Sequence, residues 1–229
     1  MAKRIVILNG APRRGGSTAA LVNAFADGAR GAGCEVQEFH LDSMNIHGCL
    51  GCFGGHSASE HPCVQRDDMD KIYAAVRGCD VIVLASPLYY WNLSGQLRTA
   101  IDRLFALEEH DGNLLRGHGR GSVLLMTAEG HGFDDVLTYY NHLCEHLSWA
   151  NLGHVLAGGT HSGPVTADSA KCAEASQLGA SMAQTAQRSA HQNRPITSPD
   201  NTPQRYSRPR LQAGLLAALL RWAAAILAS

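Results

Sequence analysis

Ile5-Val6-Ile7-Leu8-Asn9-Gly10-Ala11-Pro12-Arg13-Arg14-Gly15-Gly16-Ser17-Thr18 begins as an apolar run and ends as the opening of a helix. A short β-branched run bounded by glycine and proline suits a strand covered on both faces. The turn then brings backbone N–H groups, an arginine and two hydroxyls to the point where Ala19-Ala20-Leu21-Val22 starts a helix. Unpaired N–H groups and a positive dipole end make such a helix start a site for an anion, so the stretch reads as a phosphate cradle. It is not a nucleotide P-loop. Gly10 and Gly15 have the spacing of G-x-x-x-x-G-K-[ST], but Gly16 stands where the lysine belongs, and G-x-G-x-x-G is absent. A single phosphate held by backbone N–H, Arg13, Ser17 and Thr18 fits the residues. The plain alternative is a strand, a glycine-rich turn and a helix capped by Ser or Thr.

Outward from the cradle, strand and helix patterns alternate. Strands are expected at Lys3 to Leu8, Glu35 to Leu41, Val81 to Ala85, Ser122 to Met126 and Leu152 to Leu156. Helices are expected at Ser17 to Ala32, Asp67 to Arg77, Ser94 to Leu107, Asp134 to Trp149 and Asp168 to Arg188. That alternation is the pattern of a five-stranded parallel sheet with helices on both faces. Ligands in such sheets sit beyond the carboxyl ends of the strands. The loops 9–18, 86–94 and 127–132 leave those ends.

The chain has 229 residues, 45% of them apolar, which suits one domain with a sizeable core; the formal net charge of -1 gives no basic footprint for nucleic acid. The apolar run after Lys3-Arg4 is too short for a signal-peptide core, which places the chain in the cytoplasm. Seven cysteines without an export signal read as thiols or ligands rather than a disulfide framework. Residues 1–190 are expected to form the domain. Within 191–229, His191 to Arg210 is rich in Pro, Ser, Asn, Gln and Arg and reads as a linker. Leu211 to Leu227 is Leu/Ala-rich, marginal in length for a membrane span and interrupted by Arg221; it reads as a helix packed on the domain or on a second subunit, with a disordered tail or a surface-membrane helix as the alternatives.

Ser86-Pro87-Leu88-Tyr89-Tyr90-Trp91-Asn92 places three consecutive aromatics after a strand end. They cannot all face one core, so at least one is available to line a cleft for a flat ligand. Gly10-Ala11-Pro12-Arg13 with Ser17-Thr18, this aromatic run, Ser94-Gly95-Gln96-Leu97-Arg98, Ile101-Asp102-Arg103 and Asp67-Asp68-Met69 together resemble the flavodoxin-like NAD(P)H-dependent FMN reductases.

The resemblance implies a flavodoxin-like three-layer sandwich that binds FMN. Ala11, Arg13, Ser17, Thr18 and Ala19 would hold the phosphate, with Ala11 standing where serine is usual. Pro87, Leu88, Tyr89, Tyr90, Trp91 and Asn92 would border the ribityl chain and the ring, and Thr127, Ala128, Glu129 and Gly130 would approach its far side. It further implies NAD(P)H as co-substrate, a ping-pong cycle, a small acceptor (quinone, nitro- or azo-aromatic, or flavin) and a homodimer. The cofactor carries such chemistry, so no residue is assigned as catalytic acid or base; His131 would assist only if turned inward. The rival within the same fold is a non-enzymatic electron carrier. That role favours a strongly acidic docking face, which this near-neutral composition does not supply.

Two clusters stand apart. Cys49-x2-Cys52 followed by Cys63 lies where iron–sulfur members of the superfamily carry four cysteines, and the place of the third is Gly55. Three thiolates do not complete that set. Zinc bound by the three with His47, His56 or His61 is an alternative, and a loop of reduced thiols is the plain reading, with no metal assigned. Cys34, Cys79, Cys144 and Cys172 read as small buried hydrophobes. His142-Leu143-Cys144-Glu145-His146 fits the inverted zinc-peptidase motif H-x-x-E-H. It needs a third ligand, with Glu174 the candidate, and is otherwise a polar helix face.

Overall fold

The structure, a computed structural model, describes residues 2–55, 60–109 and 114–184. The expected linker and apolar C-terminal helix lie outside the described residues, as does His56. Five strands alternate with five helices: β1 (Arg4–Asn9), α1 (Ser17–Gly31), β2 (Glu35–His40), α2 (Met69–Arg77), β3 (Val81–Pro87), α3 (Gly95–Glu108), β4 (Gly121–Thr127), α4 (Asp134–Leu147), β5 (Ala150–Ala157) and α5 (Ala170–Ser181). Every strand pair is parallel and the order is β2-β1-β3-β4-β5. This is the flavodoxin-like, doubly wound order, in which the connection reverses direction between β1 and β3.

The alternation of side chains along the strands builds two cores. Ile5, Ile7, Val81, Val83, Ala85, Val123, Leu125, Val155 and Ala157 face α1 and α5. Val6, Leu8, Ile82, Leu84, Leu124 and Met126 face α2, α3 and α4. The three central strands are buried on both faces, which is why their sequences run apolar without a break. β2 is an edge strand with mostly exposed side chains. Against the first core, α1 and α5 approach so closely that a Cβ on Gly28 would overlap the Ser176 carbonyl, and one on Gly179 the Phe25 carbonyl.

Several boundaries differ from expectation: α5 runs Ala170–Ser181 within the longer span expected, β1 and β3 are displaced or extended by one or two residues, and three further differences have a visible cause or consequence. α4 stops at Leu147 because Ser148 turns left-handed (φ 54), so Trp149 leaves the helix and donates its Nε1–H to Leu115 O at 3.0 Å. β5 gains two residues at its start, past a register shift opposite Ser122–Leu124. The helix expected from Asp67 begins at Met69, and Asp67 instead accepts the Met69 N–H at 3.1 Å through Oδ1. Among the described residues no helix is long and apolar enough to cross a membrane.

Candidate flavin site

The loops that leave the carboxyl ends of β1, β3, β4 and β5 meet around one cavity of ≈ 350 Å³. Its walls include Ala11, Pro12, Arg13, Gly16, Ser17 and Thr18 from the first loop, Pro87, Leu88 and Tyr89 from the second, Thr127, Ala128 and Glu129 from the third, and Thr160 and His161 from the fourth. The volume lies in the range of small-ligand pockets.

Hydrogen bonds fix the first loop from behind. Asn9 Oδ1 accepts the Ala11 N–H at 3.0 Å while Asn9 Nδ2 donates to Glu38 at 2.8 Å. The Ser94 hydroxyl donates to Gly10 O at 2.8 Å. A Cβ on Gly10 would stand 2.5 Å from Ser94 Oγ and 2.7 Å from Leu97 Cβ, so glycine is what lets this loop lie on α3. Thr18 and Thr127 join their buried hydroxyls at 2.7 Å and tie the start of α1 to the end of β4.

The front of the same loop is left open. α1 is preceded by Gly16, which makes no side-chain cap, and its first turn holds no acidic residue. Ser17 and Thr18 lie inside the helix, and neither caps it. Ser17 Oγ accepts the Val165 N–H at 3.0 Å, which leaves its own proton to donate. Arg14 is turned away to Ser43 (2.8 Å), whereas the exposed Arg13 lines the cavity. Unpaired helix N–H groups, one hydroxyl and one guanidinium therefore converge on a place suited to a phosphate.

Ten of the fifteen expected residues line the cavity and five do not. Ala19 is buried against the first core. Tyr89 and Asn92 exchange backbone hydrogen bonds at 2.9 and 3.0 Å, closing a two-residue turn over Tyr90 (φ 47) and Trp91 (φ 59). That turn throws both rings outward, with Tyr90 93% and Trp91 61% exposed. Gly130 is occupied in receiving the Gly159 N–H at 3.0 Å. His131 packs beneath Gly158 and Gly159. The histidine on the cavity wall is His161, which the sequence reading missed along with Pro12, Gly16 and Thr160. The rule that strand ends carry ligands applies equally to the loop after β5 and would have found two of them. His161 Nδ1 lies 3.0 Å from the Glu129 carbonyl, which only accepts, so Nδ1 carries the proton and Nε2 receives the Ser162 hydroxyl at 3.0 Å.

The histidine motif on α4 does not assemble a metal site. His146 faces Glu108 at 3.1 Å. Glu174 pairs with Lys171 on α5, which packs on the opposite face of the sheet from α4. Cys34, Cys79, Cys144 and Cys172 are buried as expected. Burial pushes the thiols of Cys34, Cys79 and Cys144 up, that of Cys79 to about 11.

Residues 3–162 match the model of the NADPH-dependent FMN reductase family. An iron-sulfur flavoprotein of Archaeoglobus fulgidus is 32% identical over 175 residues, 76% of this chain and 76% of the relative. Among solved structures, an FMN-dependent NADH-azoreductase from Bacillus anthracis in complex with FMN superposes with a TM-score of 0.57 at 13% identity, over 80% of this chain and 98% of that one. An NAD(P)H:quinone oxidoreductase from Methanothermobacter marburgensis gives 0.55 at 17% identity, over 80% and 98%. At such identities the two structures speak for the fold. The cavity's anion-seeking end and its position at the β1/β3 reversal fit a flavin mononucleotide. Fold, cavity and family model agree: the chain belongs to the NADPH-dependent FMN reductase family and is an NAD(P)H-dependent oxidoreductase with FMN as its cofactor.

Proposed function

We propose that the chain reduces a small acceptor, a quinone, a nitro- or azo-aromatic, or free flavin, at the expense of NAD(P)H in a ping-pong cycle at the cavity described above. The observation that carries this reading is the cavity's division into an anion-seeking end and walls of Pro87, Leu88, Tyr89 and Ala128. Bound FMN supplies hydride acceptance from the nicotinamide and onward transfer to the second substrate. Arg13, the Ser17 hydroxyl and the first N–H groups of α1 hold the phosphate. Pro87, Leu88, Tyr89, Thr127, Ala128 and Glu129 would border the ribityl chain and the ring. That structures of similar fold include an azoreductase and a quinone oxidoreductase supports this choice of acceptors. The exposed apolar side chains of Leu50 (67%) and Phe53 (71%) support a homodimer, for which light scattering should give the mass of two chains.

The test is an anaerobic titration of the FMN-loaded protein with NADPH and, separately, NADH, followed by steady-state rates with a benzoquinone. Bleaching of the flavin bands by either nucleotide and parallel double-reciprocal lines are expected. Flavin bands that ignore both nucleotides would overturn the reading.

A further inference from the structure

The Archaeoglobus relative is named an iron-sulfur flavoprotein, so the thiols of the loop between β2 and α2 are where a cluster would be sought. Compact four-cysteine runs for clusters open with C-x2-C-x2-C. Cys49 and Cys52 keep the first interval, and the second falls on Gly55. The structure shows what fills that place. A Cβ built on Gly55 would stand 2.5 Å from Glu109 Oε2, 3.2 Å from Glu109 Cδ and 3.3 Å from Glu109 Cβ. The Gly55 N–H donates to the same Oε2 at 3.0 Å. The place beside Gly55 is thus taken by the tip of Glu109, a flexible side chain at the end of α3 held there by the Gly55 N–H.

Among the described residues the remaining donors do not compensate. Cys49 and Cys52 are exposed, while Cys63 is partly buried and packs on the second core. Cys49 Sγ lies 3.4 Å from the Gly51 N–H. His61 is paired with Asp70 at 2.7 Å. Among the described residues no three His, Cys, Asp or Glu side chains gather as ligands of a metal ion. The cleft between the three thiols and Glu109 measures ≈ 40 Å³ and is walled by Phe53, Val64 and Phe105. That is room for about one water, not for a cluster of iron and sulfide. A carboxylate is also a hard donor, poorly matched to the soft thiolate coordination of such clusters.

We infer that this chain, unlike the relatives named for one, does not build an iron–sulfur cluster in its cysteine loop: Gly55 offers no third thiolate, and the Glu109 carboxylate fills the place beside it. The loop is then a structural cover stapled to α3, and it adds no second redox cofactor to the flavin. This inference concerns the thiols alone and does not depend on which acceptor the enzyme uses.

The experiment is anaerobic reconstitution of the full-length FMN-bound protein with ferrous iron and sulfide, followed by gel filtration and assay of acid-labile sulfide and iron. The wild type is expected to retain no more sulfide than a Cys49→Ser control. The double variant Gly55→Cys/Glu109→Ala, which clears the space and restores the thiol, is expected to retain about four iron and four sulfide per chain. Stoichiometric sulfide on the wild type overturns the inference, whether or not Glu109→Ala removes it. A double variant that melts and binds FMN as the wild type does, yet takes up no sulfide, overturns the role given to Glu109. If the double variant does not fold, the wild-type result and Glu109→Ala alone decide.

Discussion

The cavity and the cysteine loop are built from similar materials, glycines, small polar residues and turns, yet they end in opposite states. Around the cavity, hydrogen bonds hold the loops from behind and leave donors open in front: the start of α1, the Ser17 proton and Arg13. Behind the cysteine loop, by contrast, polar groups pair with one another. Arg103 and Asp67, both with fully buried side chains, form a bidentate pair at 2.6 and 3.1 Å. Arg103 also donates to His47 O at 2.8 Å, and the His47 N–H returns to Asp67 at 3.1 Å. Open donors mark a place made for a ligand, whereas closed networks mark a place made to hold its shape. The presence of cysteines alone does not separate the two.

The largest effect is expected from breaking the closed network. Arg103→Leu leaves the Asp67 carboxylate buried without its counter-charge and should cost about 3–5 kcal/mol of stability, read as a lowered urea midpoint. If the two regions are independent, FMN affinity of the folded fraction stays within about twofold, since additivity holds for distant sites. The pair also sets a pH dependence. Burial pushes the Asp67 carboxyl up, but hydrogen bonds from Arg103 and from the His47 and Met69 N–H groups outweigh it and hold the carboxyl below the usual carboxylate range. A depressed folded value means the contribution is complete above the ordinary Asp pKa of about 3.9 and is lost as pH falls through the folded value. Melting temperature should therefore drop below about pH 4, and Asp67→Asn should flatten that acid limb while lowering the neutral plateau.

Next in size is the open region. Arg13→Ala removes a charge-assisted contact worth about 1.5–3 kcal/mol, so FMN should bind roughly 10- to 100-fold more weakly by fluorescence titration, with the melting temperature of the flavin-free protein unchanged. An affinity that does not move would show that the phosphate lies elsewhere. The Thr18–Thr127 pair separates scaffold from ligand contact. Thr18→Val alone strands a buried hydroxyl and should cost about 1–3 kcal/mol, whereas Thr18→Val with Thr127→Val should restore most of it. If the double variant regains stability and keeps FMN affinity, the two hydroxyls serve the fold.

How much of this was legible follows from where the signal lay. Strand and helix order showed through because the central strands are buried on both faces and their apolar runs are unbroken. The cradle was legible for a related reason, since a strand, a glycine turn and two hydroxyls are contiguous in sequence. His161 was not, because its place on the cavity comes from the loop after β5 folding back through Thr160 N–H to Ala128 O at 3.1 Å. Arg103 and Arg120, both buried, look like surface charges in the sequence. Only tertiary structure places Asp67 beside the first and the carbonyls of Arg77, Leu114 and Leu115 beside the second. Gly55 marks a missing thiol in the sequence, but the group beside it, Glu109, comes from the C-terminal end of α3, 54 residues away in the chain.

The smallest effect tests the one place where the open region carries strain. Tyr90 and Trp91 are both left-handed in the two-residue turn that projects beside the cavity. Turns of this shape favour Asn-Gly, because a left-handed backbone costs an ordinary residue about 1–2 kcal/mol. Tyr90→Asn/Trp91→Gly should therefore stabilise the chain by about 1 kcal/mol, a rise of roughly 2–4 °C in melting temperature. Two exposed aromatics retained against that gain need another reason, and strained residues cluster at functional sites. The same variant should raise the KM for an aromatic acceptor while leaving FMN affinity alone, since neither ring lines the cavity. A variant that gains stability with an unchanged KM would move the tip from substrate contact to the subunit interface, where the mass in solution would fall instead.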